Sequence, residues 1–160
     1  MLCYNVFDRL PELHQAYEHL FLFDVLEHMS DDSEFLDATL HLLKPGGTVA
    51  VNVPAFMHFY SKYDVAAGHQ RRYNFAAIKK LASRHGLEIA NWTYWGAPLI
   101  PLLIMRKIYL SIRKSENVIR DGFAVHNKLL NRLLFIGSQA EWIPQHIHGT
   151  SLMAILGKPA

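Results

Sequence analysis

Two short segments concentrate the side chains that could do chemistry. The first, at 23–29, reads FDVLEHM and holds Asp24, Glu27 and His28. The second, at 54–60, reads PAFMHFY and holds His58 and Tyr60. A histidine titrates near neutrality, so His28 is a candidate general base, with a loop-orienting role as the alternative. Asp24 suits either a ligand contact or a carboxylate bonded to loop amides. A third segment, GHQRRYN at 68–74, brings His69, Arg71, Arg72 and Tyr73 together. There an arginine could pair with an anionic substrate, or could lock the loop onto its scaffold. His126, Glu141, His146 and His148 do not fall at zinc-like spacing, so no metal site is expected from them.

The elements that must carry these residues are legible around them. The run HLFLFDVL at 19–26 is apolar without alternation, which suits a parallel strand covered on both faces. Ser30, Asp31 and Asp32 supply a helix cap and first-turn acids. The helix they open carries Leu36, Leu40 and Leu43, and Lys44, Pro45, Gly46 and Gly47 stop it. A second strand follows at 48–53. Asn74 caps a helix predicted over 75–85, Gly86 ends it, and strands are expected at 87–95 and 151–156. Residues 1–20 allow a short strand at 3–7 and a helix at 12–19 opened by Pro11, or an irregular connection. Between the last two strands, helices are expected at 102–113 and 126–136. The whole 1–160 therefore reads as a single α/β domain with a helical insertion at 97–148. In open α/β sheets ligands bind beyond the carboxyl ends of the parallel strands. That rule puts 23–29 and 54–60 at the mouth of one pocket.

Bulk properties narrow the partners. A formal charge of +2 is too small to imply nucleic acid. One cysteine, Cys3, excludes an internal disulfide and favours a cytoplasmic setting. No basic stretch followed by an apolar run opens the chain, so no secretory signal is read. APLIPLLIM at 97–105 is too short to span a bilayer and is broken by Pro98 and Pro101. Arg106, Lys107, Arg113 and Lys114 alternate with apolar residues over 102–114. That pattern reads first as a helix covering the sheet with a solvated basic face, and second as contact with a membrane surface or a lipid-like substrate.

Taken together, LFDVLEH, the following DD, LLKPGG, the strand ending in VPA, GHQRRYN and the closing HGTSLMAILGKP resemble the class I S-adenosylmethionine-dependent methyltransferases. The likeness is to the branch with an EH pair after the fourth strand and a GH…RRY segment, and it runs from about Phe21 to Lys158. It implies a Rossmann-like methyltransferase sheet, S-adenosylmethionine as cofactor and a small-molecule methyl acceptor. It places Phe23, Asp24, Val25 and His28 beside the cofactor, with His28 catalytic. His58, His69, Arg72 and Tyr73 are expected over the substrate. The family's first strand and glycine-rich loop have no counterpart here, so the resemblance covers the C-terminal portion of the fold. The alternative is a non-catalytic remnant or interaction module. A sheet cut in this way would expose strand 19–26 as an edge and self-associate through it.

Overall fold

In the computed structural model, residues 4–112 and 144–160 are described, with Val118, Arg132, Phe135, Ile136, Ser138, Gln139 and Glu141 between them. Four strands form one sheet: β1 (Tyr17–Phe23), β2 (Leu43–Pro54), β3 (Glu88–Trp95) and β4 (Ser151–Gly157), in the order β1-β2-β4-β3. β1 runs parallel to β2, and β4 runs antiparallel to both β2 and β3. The carboxyl ends of β1, β2 and β3 therefore meet at one end of the sheet. Among the described residues, the helices whose bounds are given are α1 (Asp32–Leu40), α2 (Lys62–Ala67), α3 (Phe75–Arg84) and α4 (Ile100–Ile112).

Local chemistry explains most boundaries. Asp31 caps α1 by accepting from the amides of Ser33 and Glu34. Asn74 caps α3 by accepting from Ala77 N. α2, which the sequence reading left out, is opened by a capping box: Ser61 and Asp64 exchange side-chain and backbone bonds. α1 stops at Leu40, one turn earlier than the leucine spacing predicts, because Leu43 pairs with Tyr17 at the start of the β1–β2 ladder. The ladder then slips at a bulge and resumes at His19 and Thr48. Gly47 sits there with no room for a side chain: a Cβ would stand 2.7 Å from Leu43 Cδ1 and 2.8 Å from Glu18 O. Residues 4–16 form the irregular connection, with single 3₁₀ turns at Val6–Asp8 and Pro11–Leu13 in place of a strand or an α-helix.

The core lies on one face of the sheet. Leu22, Val49, Val51, Val53, Leu152, Ala154 and Leu156 pack there against Leu36 and Leu40 of α1 and Ile78, Leu81 and Ala82 of α3. The opposite face carries Phe21 and Phe23, which register with Ala50 and Asn52, and then Ile155 and Met153. Phe21 is 67% exposed and Phe23 48%. The expectation that β1 is covered on both faces is thus corrected. β1 is an edge strand, and only Leu22 within it is buried. An unbroken apolar run does not distinguish a central strand from one whose outer face awaits a partner.

α4 departs from the sequence reading as well. Of its four expected basic residues, Arg113 and Lys114 lie outside the described residues and the other two turn toward the protein: the Arg106 guanidinium lies 3.9 Å over the Tyr63 ring, and Lys107 Nζ donates to His58 O. Ile104, Met105, Ile108 and Ile112 are exposed, so within Ile100–Ile112 the solvated face is largely apolar. Among the described residues no helix is long and apolar enough to cross a membrane. The helix predicted at 126–136, with His126, falls outside the described residues except for Arg132, Phe135 and Ile136.

Candidate functional site

Both parallel strands leave the sheet through strained backbone. Asp24, directly after β1, has φ +54°, and Phe56, just after β2, has φ +58°. Neither is glycine, and such positions cost about 1–3 kcal/mol each. Surrounding contacts hold them. Asp24 N donates to Asn52 O at 2.9 Å, and Asn52 Nδ2 donates to Asp24 Oδ1 at 3.0 Å. Trp95 Nε1 donates to Asn52 Oδ1 at 2.8 Å, so one buried asparagine ties the ends of β1, β2 and β3 together. The Asp24 side chain remains exposed, Phe23 projects beside it, and Val25 is half-buried.

Phe56 is held by rings. Its centroid lies 4.7 Å from Tyr94, 5.3 Å from His58 and 4.5 Å from His148. Phe59 completes this aromatic group, 4.1 Å from His58 and 5.5 Å from His148. Partial desolvation lowers the pKa of His58, and the nearby His148, Lys107 and Arg72 push the same way. His58 therefore keeps a neutral imidazole more readily than a free histidine. His146 and His148 are separated: His146 packs on Trp92 while His148 turns into the aromatic group. Glu141 accepts from the amides of Gly96 and Ala97 and so caps the turn after β3.

The segment after α2 ties the two mouths to each other. Gly68, at φ +81°, ends α2 in the left-handed cap that glycine adopts most readily, and its carbonyl accepts from His28 Nδ1 at 3.3 Å. Gln70 N donates to Glu27 O, and Arg71 donates to the carbonyls of Met29 and Ser30 and pairs with Asp32. Arg72 and Tyr73, expected over the substrate, are buried and spend their polar atoms on the protein. Arg72 Nε donates to Asp64 at 2.7 Å and its Nη1 to Ala55 O. The Tyr73 hydroxyl donates toward Leu26 O and Asp32 Oδ2; burial, with that carboxylate, raises its pKa far above the usual phenol range.

Asp64 is the hub that the sequence reading missed. Its side chain has no exposure, and it accepts from Arg72, His69 Nδ1, Ser61 N and Ser61 Oγ. Burial pushes its pKa up, but the hydrogen bond and charge of Arg72, with His69 and Ser61, bring it below the usual value. The serine and the acid three residues later were a visible capping-box signal. His69 is thereby fixed 4.8 Å from His28, ring centre to ring centre, in an edge-on arrangement. Glu27, beside them, is 1% exposed, and its Oε2 has no hydrogen-bond partner. Burial raises its pKa and Asp24 adds to the rise, against the lowering effects of its own amide, His28 and Arg72.

Asp24, His28 and His69 thus lie at the mouth of β1 and His58 with the aromatic group at the mouth of β2, and the 68–73 segment is bonded to both loops. Solved structures share the fold of the chain. A SAM-dependent methyltransferase from Thermotoga maritima, described as a possible histamine N-methyltransferase, superposes with a TM-score of 0.57 at 11% identity, over 93% of this chain and 59% of that one. The [4+2]-cyclase SpnF superposes at 0.55 and 17% identity, over 99% of this chain and 55% of that one. The Haemonchus contortus phosphoethanolamine N-methyltransferase 2, solved with S-adenosyl-L-methionine, superposes at 0.52 and 15% identity, over 91% of this chain and 34% of that one.

The fold is that of the S-adenosylmethionine-dependent methyltransferases.

This chain spans between about a third and three-fifths of the length of these three proteins. No protein-family model and no curated protein matches its sequence. One of these neighbours is a cyclase, so the fold alone does not name the reaction.

Proposed function

We propose that this chain serves S-adenosylmethionine-dependent methyl transfer to a small molecule, supplying the acceptor side of the site and part of the cofactor side. What supports the reading is that Asp24 and His28 are exposed where β1 ends and His58 is exposed just after β2, and that these two neighbouring parallel strands send both loops out at the same end of the sheet. The Asp24 carboxylate, anchored through one oxygen by Asn52, is a fitting partner for a cationic cofactor, flanked by Phe23 and Val25. When bound, the cofactor supplies an electrophilic methyl group on a sulfonium. A methylated acceptor would have to give up a proton, and an exposed imidazole at this mouth could take it. His28 is the group assigned to activate the acceptor. His58 and the aromatic rings of Phe56 and Phe59 shape the place where the acceptor lies and exclude water from it. His69 borders that place, whereas Arg72 and Tyr73 hold its walls.

Calorimetry with S-adenosylmethionine tests this, on the chain alone and on a version lengthened by the upstream coding sequence. The lengthened protein is expected to bind, and Asp24→Asn to weaken binding at least tenfold. Failure of the lengthened protein to bind would end the reading.

The open apolar face of β1 favours a second reading, an interaction module that pairs through this strand or self-associates. Phe21 and Phe23 on an edge strand form a template for a further strand or a covering partner. Sedimentation velocity separates the two: a monomer over a wide concentration range that binds no apolar dye counts against the module.

A further inference from the structure

The group that methyl transfer leaves unexplained is Glu27. A carboxylate this deeply buried, with one oxygen bonded to nothing, calls for a counter-charge. The charge of Arg72 acts on it from nearby, but the groups whose donor atoms lie closest together with it are two imidazoles. One ring nitrogen each of His28 and His69 and a carboxylate oxygen of Glu27 lie within 4.8 Å of one another. We propose that Glu27, His28 and His69 form a binding site for a divalent first-row metal ion, held by two histidines and one carboxylate.

The partners behind the three donors support this. Gly68 O can only accept, so His28 Nδ1 carries the hydrogen. Asp64 Oδ1 likewise accepts from His69 Nδ1 at 3.1 Å. In its neutral form each ring then has its lone pair on Nε2, and each Nδ1 is held by an oxygen. That is the arrangement in which metal-binding histidines are normally found. The Asp64 carboxylate is in turn fixed by Arg72 and Ser61, so the His69 ring is braced two layers deep. Two histidines and a glutamate leave coordination positions open, as in catalytic rather than structural sites. Donors about 2.1 Å from a tetrahedral ion stand about 3.4 Å apart, so closing on an ion requires side-chain movements of roughly an ångström. His28 is exposed, which gives the ion a route in from solvent.

The site differs from the set 126, 141, 146 and 148 that the sequence offered, because its members come from loops forty residues apart. On the methyl-transfer reading, on which this last step alone rests, an open position would take an acceptor hydroxyl and lower its pKa. His28 would then activate the acceptor as a metal ligand rather than as a free base.

The test needs no cofactor. The full chain is loaded with Zn²⁺ or Co²⁺, freed of excess ion by gel filtration, and assayed for metal per chain; the Co²⁺ form is also examined for visible ligand-field bands. The expected result is one ion per chain. Glu27→Gln, which keeps the shape of the side chain, and His28→Gln, at an exposed position, should each weaken binding at least tenfold, with circular dichroism confirming the fold. His69→Ala should abolish the bands, and His146→Ala should leave them unchanged. Less than one bound ion in the wild-type chain would overturn the proposal, as would an ion that survives both Glu27→Gln and His69→Ala. Neither result bears on cofactor binding by calorimetry, so this proposal and the methyl-transfer reading can fail separately.

Discussion

Replacing Asp64 by asparagine should be among the most damaging near-isosteric changes in this protein. The Asp64 side chain is fully buried and that of Arg72 is 4% exposed. The pair is joined at 2.7 Å, and His69 and both Ser61 donors converge on the same carboxylate. The amide keeps the volume but removes the charge, and its NH₂ group is set against donors. Removing one partner of a buried ion pair costs about 3–5 kcal/mol, because the other charge is left without compensation. At roughly 2–4 °C per kcal/mol for a chain of this size, the melting temperature should fall by about 6–20 °C. The pH dependence has a definite sign. The folded pKa of Asp64 lies below its unfolded value, so its stabilisation is present above the unfolded value and is lost as pH falls through the folded one. Wild type and Asp64→Asn should therefore converge as pH drops below roughly 4. Urea denaturation at several pH values measures this, and Asp64→Leu with Arg72→Met should recover much of what Asp64→Leu alone loses. A deficit under about 1 kcal/mol at neutral pH, or one that persists undiminished in acid, would refute the reasoning.

Two further outcomes follow from the mouth of β2. The His58 ring should titrate below a free histidine in an NMR pH series, and removing a neighbouring positive group with His148→Ala or Lys107→Ala should move it upward; an unshifted His58 in the native protein would contradict the packing described. Gly149→Ala should cost about 1–3 kcal/mol in denaturant, because a Cβ there would stand 2.8 Å from Trp95 N and closer still to Trp95 O; a neutral effect would mean that the Trp95–Thr150 pairing at the sheet's end is looser than it stands here.

The sequence by itself determined what depends on near neighbours. Asn74 before an apolar stripe fixes the start of α3, the valines of β2 mark a buried strand, and SLMAIL at the end marks β4. It also placed Asp24 and His28 at the exit of β1, since a strand followed by a loop and a helix puts its carboxyl end at the ligand side of the sheet. Tertiary structure decided everything that needs residues far apart in the chain. Strand order made β1 an edge with an open face, where its composition suggested a covered strand. Packing against Tyr63 and His58 turned Arg106 and Lys107 of α4 inward. The meeting of Glu27 and His28 with His69 depends on α2, a helix signalled only by a serine and an acid three residues on. Spacing along the chain encodes which face of one element a residue occupies. Which elements share that face is set by long-range pairing and by the burial of charges such as Asp64 and Arg72, and no local pattern records either.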